Sequence, residues 1–141
     1  MLRNLYGINI AVKDLDAAVA KYAAILDAKP EWTKPEDFAF PGMRGCVLKV
    51  AGVSINLISA SQPDPANSVY RFLEKNGDGV FLLSFQSSDL VKDMPELAKK
   101  GVKLISPDKP MSYSGGIVNF GHPKSLFGVQ MEFIEPGGKM P

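Results

Sequence analysis

GIVNFGHPKSLFGVQMEFIE, residues 116–135, is the stretch whose reading decides the fold. Two short runs of strand character flank a turn of Gly121, His122, Pro123, Lys124 and Ser125. The second run alternates. Val129, Met131 and Phe133 make an apolar set, while Gln130, Glu132 and Ile134 point the other way. A carboxylate, Glu132, therefore sits mid-strand behind a hydrophobic face. Such a residue belongs either to a solvated sheet face or to the floor of a site.

The same alternation recurs upstream. In Leu5–Val12 the residues Ile8, Ile10 and Val12 share one face, and Gly7, Asn9 and Ala11 share the other. Asp14 then reads as a helix N-cap, with Leu15, Ala18, Val19, Tyr22 and Leu26 at helical spacing, so a helix is expected from about residue 15 to 27. Residues 30–44 carry three prolines and predict an edge strand and a long turn. Cys46–Val50 and Val53–Ser59 form a hairpin turning at Ala51-Gly52. Val69–Lys75 reads as a short helix closed by Asn76-Gly77.

A second cycle follows. Val80–Gln86 is a strand, with Leu82, Ser84 and Gln86 on one face. Ser88 or Asp89 caps a helix carrying Leu90, Met94 and Leu97, in which Pro95 predicts a kink or a delayed start. Val102–Ile105 reads as an edge strand, Pro107–Gly116 as a polar, mobile loop, and EPGGKMP as a loose tail. Both halves thus run strand, helix, three strands. Asp14-Leu15 matches Asp89-Leu90 at an offset of 75, and Val53–Leu57 matches Val129–Phe133 at 76. Similarity at half the chain length implies duplication of a βαβββ unit. The expected fold is α+β. Two tandem βαβββ units form a curved eight-stranded mixed sheet around a cavity, with helices on its outer face. The units span 1–62 and 78–135, with a linker and short helix over 63–77 and a tail over 136–141, in one structural domain.

Composition narrows the class. A chain of 141 residues with 45% hydrophobic and 22% charged content is globular and long enough for its own core. Net charge is +1 with no basic run, which argues against nucleic acid or a membrane surface as partner. No apolar run reaches transmembrane length, no signal peptide is evident, and the single cysteine suits a reducing cytoplasm.

The segments GINIAVKDLDAAVAKYAAIL (7–26), RFLEKNGDG (71–79), AKKGVKLI (98–105) and FGHPKSLFGVQMEFIEP (120–136) together span nearly the whole chain. In that order they resemble the vicinal oxygen chelate superfamily, which includes glyoxalase I, bleomycin-resistance proteins and extradiol dioxygenases. The nearest likeness is to its methylmalonyl-CoA epimerases. That resemblance implies a divalent metal held by the first and last strands of each unit. The matching positions here are Gly7, Asn56, Leu82 and Glu132, of which only Glu132 is a good ligand. The sequence is thus expected to bind no family-type metal and to need no other cofactor.

Glu132 is the candidate base or ligand acceptor, and Asn56 its counterpart in the repeat. Gly7 and Leu82 read as cavity lining, and Asn9 and Ser84 either supply hydrogen bonds there or merely fill the polar face. His122 with Lys124 and Ser125 either shapes its turn or meets a phosphate at the rim. Tyr113, between Ser112 and Ser114, reads either as part of a flexible lid or as ordinary surface. Trp32 and Arg44 are further rim candidates, and Cys46 reads as a buried, inert thiol.

The leading functional expectation is metal-independent binding of a small organic ligand, a carboxylate or acyl thioester, with proton abstraction by Glu132. Sequestration of a drug or metabolite in the manner of bleomycin-resistance proteins, at a homodimer groove, is the second. A divergent metal-dependent epimerase or lyase is the third.

Overall fold

Why the chain divides its strands as it does follows from its caps and turns. The computed structural model describes residues 1–141. Its elements are β1 (Leu2–Ala11), α1 (Leu15–Leu26), β2 (Glu31–Thr33), β3 (Met43–Val50), β4 (Val53–Ala60), α2 (Ser68–Asn76), β5 (Gly79–Ser87), α3 (Leu90–Lys99), β6 (Met111–Tyr113), β7 (Gly116–Gly121) and β8 (Gln130–Pro136). The eight strands form a mixed sheet in the order β2-β3-β4-β1-β5-β8-β7-β6. This is the expected α+β arrangement, strand–helix–three strands twice over. Two compact units are present, Gly7–Phe81, and Met1–Tyr6 together with Leu82–Pro141.

In Gly7–Phe81, the Asp14 side chain accepts from the Ala17 amide and starts α1 one residue later. The helix ends at Asp27, which adopts a left-handed conformation. Its inward residues Leu15 and Val19 pack with Val12, Cys46, Leu48 and Leu57 into one core. Ala51 (φ 50°) and Gly52 (φ 83°) make the two-residue turn between β3 and β4, where both residues need positive φ. β1 then runs parallel to β4, with Asn9 opposite Asn56. Asn67 caps α2, whose Val69 and Leu73 cover Ala11 and Ile58, while Phe72 meets Phe81 edge to face at 5.3 Å.

In the other unit, β5 runs parallel to β8, β8 pairs antiparallel with β7, and β7 with β6. α3 opens with two carboxylates at its N-terminus. Asp89 accepts from the Lys92 amide, and Glu135, reaching over from β8, accepts from the Leu90 amide at 2.7 Å. Leu90, Met94 and Leu97 pack against Leu104, Ile117 and Phe133.

Several expectations need correction here. Of the kink or delayed start expected at Pro95, the delay does not occur: α3 starts at Leu90 with Pro95 in its interior, where the double capping and three buried side chains offset the missing amide. Val102–Ile105 is not a strand. Only Leu104 bridges, to Gly121, because the side chain of Asn119 takes over the backbone at Ser106, accepting from its N–H at 3.2 Å and donating to its carbonyl at 2.8 Å. The ladder resumes at Met111, so the edge strand is β6, and Tyr113 belongs to it and not to a polar, mobile loop or lid. The tail is held at its start. β8 continues through Pro136, and the Gly137 amide donates to the Gly115 carbonyl at 2.7 Å. No helix is long and apolar enough to cross a membrane.

Candidate functional site

β8 presents Phe133 to the α3 core, with Met131 packed beside it, which turns the intervening Glu132 to the opposite face. Parallel register places Ser84 of β5 directly opposite. Ser84 is fully buried, and its Oγ donates a 2.6 Å hydrogen bond to Glu132 Oε1. Burial pushes the Glu132 carboxyl above its usual range, and the Ser84 bond offsets this only in part. Leu82, two residues before Ser84 and on the same face, is buried.

Tyr113 shares these surroundings. Its phenol is pushed up to about 12, chiefly by burial, then by Tyr6, then by the negative charge of Glu132. Tyr6 has no place among the sequence-derived candidates. Only the fold brings its phenol near Tyr113.

In the other unit Asn56 Nδ2 donates to Asn9 Oδ1 at 2.7 Å, so the two amides fix each other. Gly7 lies beside them. A Cβ there would stand 2.8 Å from the Ser54 carbonyl oxygen and 3.3 Å from Asn56 Nδ2. Gly7 is thus a glycine because the neighbouring strand approaches too closely for any side chain. The family's metal positions therefore offer one carboxylate and one amide. Leu82 contributes no donor, and at Gly7 a ligating side chain is sterically blocked. No three His, Cys, Asp or Glu side chains assemble as a metal-binding group anywhere in the chain. These residues do not fit the family's cation.

His122 and Lys124 make no contact with Glu132. His122 caps the short turn Pro123–Ser125, its Nδ1 accepting from the Lys124 amide at 3.0 Å, and Ser125 bonds to the backbone of His122 and Lys103. The Lys124 side chain is exposed and enters no ion pair. Arg44 lies 3.6 Å from Asp16, and Trp32 sits exposed on the edge strand β2. Cys46 is buried, which raises its thiol above the ordinary range. Separately, an apolar cleft of about 570 Å³ lies beside α3, lined by residues such as Val91, Met94, Pro95, Val102 and Leu104, and contains none of the candidate residues.

Residues 7–120 match the Glyoxalase/Bleomycin resistance protein/Dioxygenase superfamily. The chain is 28% identical over 134 residues to an ethylmalonyl-CoA/methylmalonyl-CoA epimerase of Cereibacter sphaeroides, covering 94% of this chain and 97% of that one. Its fold is similar to methylmalonyl-CoA epimerase from Mycobacterium tuberculosis, with a TM-score of 0.82 at 29% identity over 96% of this chain and 89% of the other. A variant of the Streptomyces coelicolor epimerase, solved with 2-nitronate-propionyl-CoA, gives 0.80 at 31% identity over 96% and 99%. The duplicated topology and the match over most of the chain agree: this protein belongs to the glyoxalase/bleomycin resistance/dioxygenase superfamily.

Proposed function

We propose that the protein binds a small acyl thioester or carboxylate at Glu132 and, without a metal ion, uses that carboxylate as the base for proton transfer beside a carbonyl. The carrying observation is the state of Glu132: desolvated, raised in pKa, and anchored through one oxygen by Ser84. A carboxylate with raised pKa is a stronger base than an exposed one, and a single anchor leaves its other oxygen for a substrate. In the step, Glu132 takes the proton from carbon, the C–H electron pair forms the enolate, and return of a proton from Glu132 to carbon restores the thioester. Similarity to CoA-ester epimerases supports the substrate class.

The test is hydrogen exchange of methylmalonyl-CoA in D2O, followed by mass spectrometry. Wild-type protein is expected to wash deuterium into the α position, and Glu132→Gln to abolish this while retaining thioester binding. Equal exchange rates for the two proteins would sink the mechanism.

A second reading, sequestration without chemistry, is favoured by the buried Leu82 at a ligand position, which suits an apolar guest. Recovery of tightly bound ligand unchanged, with no exchange, would select it.

A further inference from the structure

Proton abstraction beside a carbonyl needs two things, a base and something to hold the oxygen on which charge develops. Glu132 supplies the first; with the metal positions lost, the second must come from elsewhere in the chain. Strand register narrows the choice. Tyr113 stands opposite Gly116, Gly116 opposite Pro136, and Pro136 lies four residues beyond Glu132 on β8. Residues an even number apart on a strand share a face, so Tyr113 and Glu132 leave the sheet on the same side.

The backbone beneath Tyr113 is shaped to hold its ring there. A Cβ at Gly115 would lie 2.6 Å from Tyr113 Cε2 and 3.2 Å from its hydroxyl oxygen. At Gly116 (φ 155°) a Cβ would collide with the Glu135 carbonyl oxygen. Two successive glycines thus let the β6–β7 turn close tightly while the phenol lies across it.

The hydroxyl of Tyr113 makes no hydrogen bond to the protein, and neither does that of Tyr6. Glu132 has only the Ser84 bond, through Oε1. The Tyr113 hydroxyl is thus partly buried, near enough to Glu132 to feel its charge, not bonded to it, and on the same side of the sheet. Since its pKa is about 12, the Tyr113 phenol keeps its proton at every physiological pH.

We propose that Tyr113 is the hydrogen-bond donor for the ligand's carbonyl oxygen, facing Glu132 across the bound ligand and stabilising the enolate in place of a cation. This rests on the proton-abstraction reading above. The α proton moves to Glu132 and the C–H electron pair into the carbonyl. The resulting enolate oxygen accepts from Tyr113 without taking its proton, and collapse of the enolate returns the proton from Glu132 to carbon. Tyr6, beside Tyr113, is placed to support that donor.

The test compares two probes by titration calorimetry. 2-Nitronate-propionyl-CoA carries negative charge on oxygen as an enolate does, and propionyl-CoA does not. Wild-type protein should prefer the nitronate. Tyr113→Phe, which keeps the ring, should weaken the nitronate by about tenfold or more, as loss of a hydrogen bond to a charged group does, and change propionyl-CoA by less than about twofold. Gly115→Ala, with folding checked by circular dichroism, should reproduce that selective loss. Equal weakening of both probes by Tyr113→Phe, or no weakening of either, overturns the assignment while leaving the acyl-thioester reading intact. If wild-type protein binds neither probe, the acyl-thioester reading fails and the assignment with it.

Discussion

Ser84 and Glu132, 48 residues apart in the chain, stand directly opposite on a parallel strand pair and share a 2.6 Å hydrogen bond. The bond stabilises the ionised form of Glu132 against burial. Ser84→Ala should therefore raise the Glu132 pKa further and move the lower inflection of the pH–rate profile upward. It should also cost about 1.5–3 kcal/mol where Glu132 is ionised. Exchange rates across pH, with urea unfolding alongside, check both effects.

Glu132 itself should cost stability at neutral pH. Its usual value is 4.5, and the folded value is higher. Below the unfolded pKa the carboxyl is protonated in both states and contributes nothing. As pH rises through the folded pKa, the native state must hold a poorly solvated anion and loses stability. Glu132→Gln should be more stable than wild type at about pH 8, with the advantage gone by about pH 4. Urea midpoints at the two pH values decide it; a less stable variant at the higher pH would contradict the sign.

The Glu135–Leu90 contact makes a prediction about the scaffold. Glu135→Ala removes an acceptor from the first amide of α3 and should cost about 1 kcal/mol, whereas Glu135→Gln, which still offers an oxygen, should cost less. Thermal unfolding of the pair distinguishes capping from simple loss of charge.

Gly7→His tests the metal question directly. Restoring the ligand type that the superfamily uses brings a Cβ to 2.8 Å from a backbone oxygen, so the variant should lose about 1–3 kcal/mol. Titration with Mn, Co, Ni and Zn ions should give no binding heat for wild type or variant. Stoichiometric, tight metal in the wild-type protein would revive a metal-dependent epimerase or lyase.

Much of the scaffold was legible because local chemistry agrees with the final fold. Asp14 and Asp89 cap the helices they precede, Ala51-Gly52 turns the first hairpin, and the alternation around Glu132 assigns its face correctly. The misreadings arise where distant residues overrule local signals. Val102–Ile105 has strand composition, but Asn119 captures the next residue's backbone with its side chain and breaks the ladder. Met111–Tyr113 looks like loop until β7 supplies its partners. Pro95 suggested a delayed start to a helix that was otherwise read correctly, and Glu135, reaching from β8, helps to start it at Leu90. In the candidate site, Ser84 and Glu132 were visible singly, but their hydrogen bond depends on strand register. Tyr6 gave no signal at all, since nothing local marks a strand tyrosine as the neighbour of a phenol more than a hundred residues away.

The Gly115-Gly116 turn has an evolutionary consequence. Every glycine codon lies one base from an alanine codon, so a single transition-free exchange at Gly115 would press a methyl group into the Tyr113 ring while every polar residue nearby stayed unchanged. A lineage could thus lose or retune this chemistry without altering one ionisable side chain. Among relatives, divergence in activity should be sought in residues that have no side chain as well as in those that carry charge.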